Sequence, residues 1–415
     1  MVKTVQKVLP QLRFPEFDGE WSKKILKEFT KINQGLQIPI SERFTEQVEG
    51  SYFYITNEFL REGSKKSYFI KNPTDSVICD EDDILMTRTG NTGQVVTGVH
   101  GAFHNNFFKI KFDACCDKWY LYYFLTSYRT QHKILTLAGT STIPDLNHGD
   151  FYKLNIALPK FPEQQKIASF LSAVDQKIQQ LTKKKELLEQ YKKGVMQQLF
   201  SGQLRFKKDD GTSYPDWEEF KVQELINKKA IIGLLDGNHG ELYPKSEEFT
   251  TEGVPYIAAN SLINGLVDFN QCKRLPKQRA DMFKKGIAKS GDVLFAHNAT
   301  VGPTAILKTD LEYAILSTTV TYYRCDTELL SNSYLLHYFN SDNFVRQYTR
   351  VMSQSTRNQV PITMQKKFKV IFPSLQEQQK IARYLSAIDT KTENVTNQIT
   401  QTQTFKKGLL QQLFV

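Results

Sequence analysis

The sequence predicts an α+β protein of two globular domains, each followed by one long helix, with an internal two-fold repeat. Three observations carry this. The stretch from Pro159 to Phe206 returns near the C-terminus: Glu163-Gln164-Gln165-Lys166-Ile167-Ala168 recurs as Glu377-Gln378-Gln379-Lys380-Ile381-Ala382, and Gln197 to Phe200 as Gln411 to Phe414, both at an offset of 214 residues. Both copies place apolar residues at alternating steps of four and three, the seam of a coiled coil. Each copy follows a longer segment of short aromatic and β-branched runs. A long duplication without gaps marks a repeated architecture.

In the first helix the seam is Ile167, Leu171, Val174, Ile178, Leu181 and Leu188, continuing to Val195 and Leu199; in the second it is Ile381, Leu385, Ile388, Val395, Ile399 and Leu409. Pro162 suits a first helical turn and Gly202 a C-terminal stop. About 40 residues at ~1.5 Å each make a rod of roughly 60 Å. Lys185 and Lys192 interrupt the first seam, and Thr392, Thr402 and Lys406 the second. A stripe this narrow needs a partner, and the other copy is the obvious one. The predicted division is 1–160, first globular domain; 161–203, central helix; 204–374, second globular domain; 375–415, C-terminal helix.

The globular segments match only at posts. Leu12-Arg13-Phe14 returns as Leu204-Arg205-Phe206, the segment from Asp83 to Gly93 as Asp292 to Gly302, and Ser141-Thr142 as Ser355-Thr356. One ancestral half, copied once and then diverged in its loops, accounts for this; two recognition modules on one scaffold would look the same. Tyr52 to Ile55, Phe107 to Ile110 and Thr318 to Tyr323 read as strands, and Trp119 to His132 and Ser333 to Gln347 as helices.

Composition narrows the function. The 415 residues carry 54 Lys and Arg against 44 Asp and Glu, a net charge of +10, which suits a polyanion partner. No signal-peptide core or membrane-spanning apolar run is evident, so a cytoplasmic protein is expected. The five cysteines (Cys79, Cys115, Cys116, Cys272, Cys325) form no C-x-x-C, and His100 and His104 lack the usual paired-ligand spacing, so no metal site is expected. There is no Pro-Pro for a DNA-methyltransferase motif, no Gly-Lys pair for a P-loop and no G-x-S-x-G elbow. Pro215-Asp216 with Glu219-Phe220-Lys221 is too closely spaced for a nuclease metal site and reads as a turn entering a helix. No catalytic residues are assigned.

Side chains suited to DNA do occur at matching posts. Arg88, Thr89, Asn91 and Gln94 lie in a glycine-rich loop after a predicted strand; His297, Asn298 and Thr300 lie in its counterpart. Thr140 and Ser141, matched by Ser355, Arg357 and Asn358, form a second pair of loops. Their donors and acceptors fit base edges and phosphates.

With the E-Q-Q-K-I-A…L-S-A-[VI]-D helix, the K-K-G…Q-Q-L-F end and the D-[IV]-L…G post in each half, the whole chain resembles the specificity subunit of a type I restriction–modification system. The resemblance implies two target-recognition domains separated by two antiparallel helices. Each domain would read one part of a split, asymmetric site in double-stranded DNA. Two modification subunits, which bind S-adenosylmethionine and methylate adenine, would dock on the scaffold; two restriction subunits would join to hydrolyse ATP with Mg2+, translocate DNA and cut it. No cofactor is implied in this chain, and no membrane partner. The competing readings are a coiled-coil adaptor without a DNA role and a self-contained DNA-modifying enzyme.

Overall fold

The computed structural model describes residues 9–61, 63, 64, 66–139, 142–237, 242–354 and 358–415. The chain divides into two units, Met1–Lys183 with Thr396–Val415, and Lys184–Val395. The first half forms β1 (Ser22–Ile25), β2 (Thr30–Gln34), β3 (Ser51–Ile55), β4 (Phe69–Lys71), β5 (Ile78–Cys79), β6 (Ile84–Thr87), β7 (Val95–Val96), β8 (Gly101–Phe103), β9 (Phe107–Phe112), α1 (Lys118–Thr126), α2 (Tyr128–Ala138), α3 (His148–Tyr152), β10 (Asn155–Leu158) and the long helix α4 (Phe161–Phe200). The second half forms β11 (Glu218–Lys221), α5 (Val222–Asn227), β12 (Ile231–Asp236), β13 (Val254–Ile257), β14 (Leu262–Ile263), β15 (Gly265–Val267), β16 (Lys273–Leu275), α6 (Lys277–Ala280), β17 (Ile287–Ala288), β18 (Val293–Ala296), β19 (Thr304–Ile306), β20 (Ala314–Leu316), β21 (Val320–Cys325), α7 (Asn332–Phe339), α8 (Asp342–Ser353), α9 (Ile362–Gln365), β22 (Lys369–Phe372) and the long helix α10 (Leu375–Leu413).

The repeat is structural as well as sequential. In the first unit the sheets run β2-β9-β6-β7 and β4-β3-β8-β5, with a β1-β10 ribbon. In the second they run β12-β21-β18-β19 and β16-β13-β20-β17, with a β11-β22 ribbon, and the first of these is extended by β15 and β14. Even the unusual parallel pairing is repeated, Tyr54 beside Ala102 and Tyr256 beside Ile315. Among the described residues, the hairpin β14–β15 occurs in the second half alone.

The helices cross both units. α4 begins in the first and ends in the second, α10 does the reverse, and they are therefore antiparallel. In the first unit Ile167, Leu171 and Val174 share a core with Leu409, Leu413 and Phe414. In the second, Val195, Leu199 and Phe200 share one with Ile381, Leu385 and Ile388. Leu181 and Val395 are buried, whereas Ile178, Leu188 and Ile399 are half-buried. Each fully buried Leu or Ile contributes about 1.5–3 kcal/mol.

The motif at each helix start has a physical explanation. Glu163 and Glu377 are 1% and 0% exposed. Arg13 holds Glu163 with two N–H groups at 2.7 and 2.8 Å, and Trp21 adds its indole N–H at 3.2 Å. Arg205 and Trp217 hold Glu377 in the same way, at 3.2, 2.9 and 2.7 Å. The next residue is equally occupied. Gln164 accepts from the Asp117 N–H and donates to the carbonyls of Cys115 and Pro159; Gln378 accepts from Ser331 and donates to Leu329 and Pro373. Arg13 and Arg205, separated from the helices by a whole domain in sequence, are thus what makes the carboxylates tolerable in the interior. At the far end of α4 Gly202 takes φ +77° and its N–H closes on Leu199.

Three sequence expectations are corrected. The three lysines on the seams are not simple faults: Lys192 pairs with Asp389, its counterpart Lys406 pairs with Asp175, and half-buried Lys185 pairs with Glu189. The segments 119–132 and 333–347 are not single helices. Each breaks at a serine, Ser127 or Ser341, whose hydroxyl caps the helix that follows by accepting from Thr130 or Phe344. Pro215-Asp216 leads into strand β11, which pairs with β22, rather than into a helix.

One buried tyrosine of the first helix junction is replaced by a titratable imidazole in the second. In the first unit Tyr123 donates to Asp175 at 2.8 Å, with Lys406 over its ring. In the second, His337 takes that place, 3.0 Å from Ser386 Oγ and beside Asp389 and Lys192. Burial, reinforced by Lys192 and opposed by Asp389, pushes the His337 imidazole down from 6.5 to about 4. The fold therefore holds the neutral ring: this contribution is intact above about pH 6.5 and is lost as pH falls toward 4. Acidification from pH 7 to 5 should cost about 2 kcal/mol through this group. His337→Tyr, which copies the other junction, should remove that part of the acid sensitivity in denaturant midpoints measured at both pH values. Equal pH dependence of the two proteins would show that the ring does not titrate with folding.

Candidate nucleic-acid interface

The loop after β6 and the loop after β18 are one turn built twice. In the first, the Thr87 N–H donates to Gln94 O at 2.9 Å and the Gly93 N–H to Thr87 O at 2.8 Å; in the second, Ala296 donates to Pro303 O at 2.8 Å and Gly302 to Ala296 O at 3.0 Å. Both need left-handed backbone at the tip, Gly90 at φ +86° and Ala299 at φ +62°. A Cβ at Gly90 would lie 2.0 Å from Asn57 Nδ2, so any side chain there would displace the carboxamide that holds Thr89 O.

Each turn is stitched to the segment that follows α2 or α8. Thr89 bridges to Asp145, and the Leu146 N–H donates to Arg88 O at 2.9 Å. Asn298 bridges to Gln359, and the Val360 N–H donates to His297 O at 2.7 Å. Each post-strand turn therefore lies beside the residues that follow the second loop singled out by sequence, Asp145 and Leu146 in the first half and Gln359 and Val360 in the second. Thr140, Ser141, Ser355 and Arg357 lie outside the described residues; Asn358 is exposed at the edge of the second turn.

The turns carry different side chains. Arg88 does not stand free: its Nε and Nη2 engage both oxygens of Asp145, at 3.0 and 2.5 Å, and its guanidinium lies over Phe108. Asn57 donates to Thr89 O at 3.1 Å, Thr92 to Pro144 O at 2.6 Å, and Gln131 to Gly93 O at 2.8 Å. Thr89 is half-buried; Asn91 and Gln94 are exposed, and among the described residues their side chains make no hydrogen bond. His297 is corrected from reader to anchor. It is 6% exposed and 2.9 Å from Thr321 Oγ1, in a buried network with Gln365 and Tyr323. Asn298 turns its oxygen onto the Ala299 N–H at 2.8 Å, leaving Thr300 as the exposed polar side chain of that turn.

Sequence reasoning missed Asn57, Gln131 and Asp145, which hold the first turn in place. The offset of 214 that links Ser141 to Ser355 also links Asp145 to Gln359, and extending the repeat by four residues would have found the stitch. Among the described residues no group of His, Cys, Asp or Glu could hold a metal ion, and no helix is long and apolar enough to cross a membrane.

The sequence model described as "Type I restriction modification DNA specificity domain" matches the chain twice, over residues 18–190 and 214–402. The chain belongs to this specificity family. Each match takes in one globular part and most of the long helix that follows it. Among curated relatives, the specificity subunit of the type I restriction enzyme MjaVIII from Methanocaldococcus jannaschii is 28% identical over 410 residues, covering 96% of this chain and 92% of its own. The EcoKI specificity subunit of Escherichia coli is 22% identical, covering 81% of this chain and 75% of its own. A crystal structure of the type I S subunit from M. genitalium shares the fold at a TM-score of 0.60 and 18% identity, covering 98% of this chain and 99% of that one.

The Arg88–Asp145 pair is partly exposed, at 20% and 47% of the side chains. We expect Arg88→Ala and Asp145→Ala to have similar effects on sequence discrimination, and the double variant to be no worse than either. Their coupling in a double-mutant cycle should be at most ~1 kcal/mol. A much larger, independent loss in Arg88→Ala would mean that the arginine leaves Asp145 to contact DNA.

Proposed function

We propose that this chain is the DNA-recognition subunit of a type I restriction–modification complex, with each globular domain reading one part of a split, asymmetric site. The observation that carries the reading is the doubled turn: one backbone frame repeated in both halves, with different exposed side chains on each. Two identical frames with different letters are what a two-part, asymmetric target requires. Net charge of +10 supplies the sequence-independent attraction to DNA.

On this reading the long helices set the spacer between the two half-sites and dock two modification subunits, which bring S-adenosylmethionine. Two restriction subunits add ATP- and Mg2+-dependent translocation and cleavage, in the cytoplasm. The chain itself supplies recognition, not chemistry, so the purified protein should transfer no methyl group to DNA until a modification subunit is added. Methyl transfer by the isolated, contaminant-free chain would favour the self-contained enzyme instead.

The spacer can be tested directly. Because both helices run through both units, both must be lengthened: four residues after Lys184 and four after Gln398, its counterpart. Each insertion adds about 6 Å and slightly more than one turn, which nearly preserves the seam. Methylation sequencing should return unchanged half-sites separated by one or two more base pairs, at ~3.4 Å per step. An unchanged gap in an active variant would show that the helices do not set the spacing.

A further inference from the structure

The two turns present different side chains at their outward positions. Asn91 and Gln94 in the first correspond to Thr300 and Pro303 in the second. The Gln94 N–H donates to Asn91 O at 3.2 Å, so both carboxamides leave from the same tight turn. The backbone beneath them is held by Asn57, Thr87, Thr92 and Gln131. Little conformational freedom is then lost when the turn meets a ligand.

The chemistry of that turn favours a base over a phosphate. A phosphate presents only acceptors and draws cations, but the cation here, Arg88, is neutralised by Asp145, whose own charge repels phosphate. A carboxamide sets a donor beside an acceptor. That pattern matches the acceptor N7 and the donor N6 amine of adenine in the major groove. The second turn exposes no such group at Thr300 or Pro303, and Asn298 is turned onto its own backbone.

Resting on the recognition role proposed above, we propose that Asn91 and Gln94 read adenine in the half-site of the first domain, with Arg88 and Asp145 as positioning residues, and that their counterparts Thr300 and Pro303 impose no matching requirement in the second. The first half-site therefore contains at least one A·T pair whose identity depends on these two carboxamides.

The test uses the full chain assembled with its modification subunits, with methylated sites mapped by sequencing. Asn91→Ala, Gln94→Ala and Asn91→Asp are compared with wild type and with Thr300→Ala. Asn91→Asp keeps the shape but removes the donor. Each alanine variant should lose roughly 5- to 150-fold of its discrimination at one A·T position of one half-site. Asn91→Asp should fail at the same position as Asn91→Ala. The other half-site, the spacing and the salt dependence of binding should not change, and Thr300→Ala should leave the first half-site intact. An unaltered first half-site in all three variants overturns the proposal. So does an even loss over all sequences with a shallower salt dependence, the mark of a phosphate contact. If the wild-type complex methylates without sequence preference, the recognition role itself fails, a result visible before any variant is made.

Discussion

A buried carboxylate at the start of each long helix is the constraint on which the architecture depends. Glu163 and Glu377 have almost no contact with solvent, and each is neutralised by an arginine and hydrogen-bonded by a tryptophan from the start of its half. Removing one partner of such a pair typically costs about 3–5 kcal/mol, because the remaining charge is stranded in the interior. The geometry ties the start of each half to its end. A segment of 150 residues in the first half and 172 in the second is therefore closed at its ends, and the loops elsewhere can differ between halves without loosening the frame.

The same logic extends to the helix seam. Asp175 with Lys406 and Asp389 with Lys192 are one ion pair written twice, and Gln164 and Gln378 satisfy the same set of backbone groups. The halves differ at the buried Tyr123–His337 position, in the β14–β15 hairpin and at the exposed turn residues, among other places. Conserved packing and divergent surface thus occupy different residues of the same elements.

Much of this was legible in the sequence because it is periodic or repeated. The α4 and α10 seams, the strands around Phe107 and Tyr52, and the equivalence of the two post-strand loops all follow from spacing. What was not legible depended on contacts distant in sequence. The breaks at Ser127 and Ser341 required knowing that a serine hydroxyl would cap the next helix within an aromatic run that otherwise reads as continuous. Arg88 looked like a free reader because nothing nearby announces Asp145, 57 residues on. His297 looked exposed because a polar residue in a glycine-rich loop usually is; its burial depends on Thr321 and Gln365, brought in by β21 and α9.

The left-handed tip shared by Gly90 and Ala299 has an evolutionary consequence. The bonds that shape each turn come from its backbone and from inward-facing neighbours, so its outward side chains carry none of the burden of folding. Such positions can be replaced one at a time with little loss of stability. Where these positions read DNA as proposed, a lineage bearing this turn samples new targets through single substitutions while the frame beneath still folds.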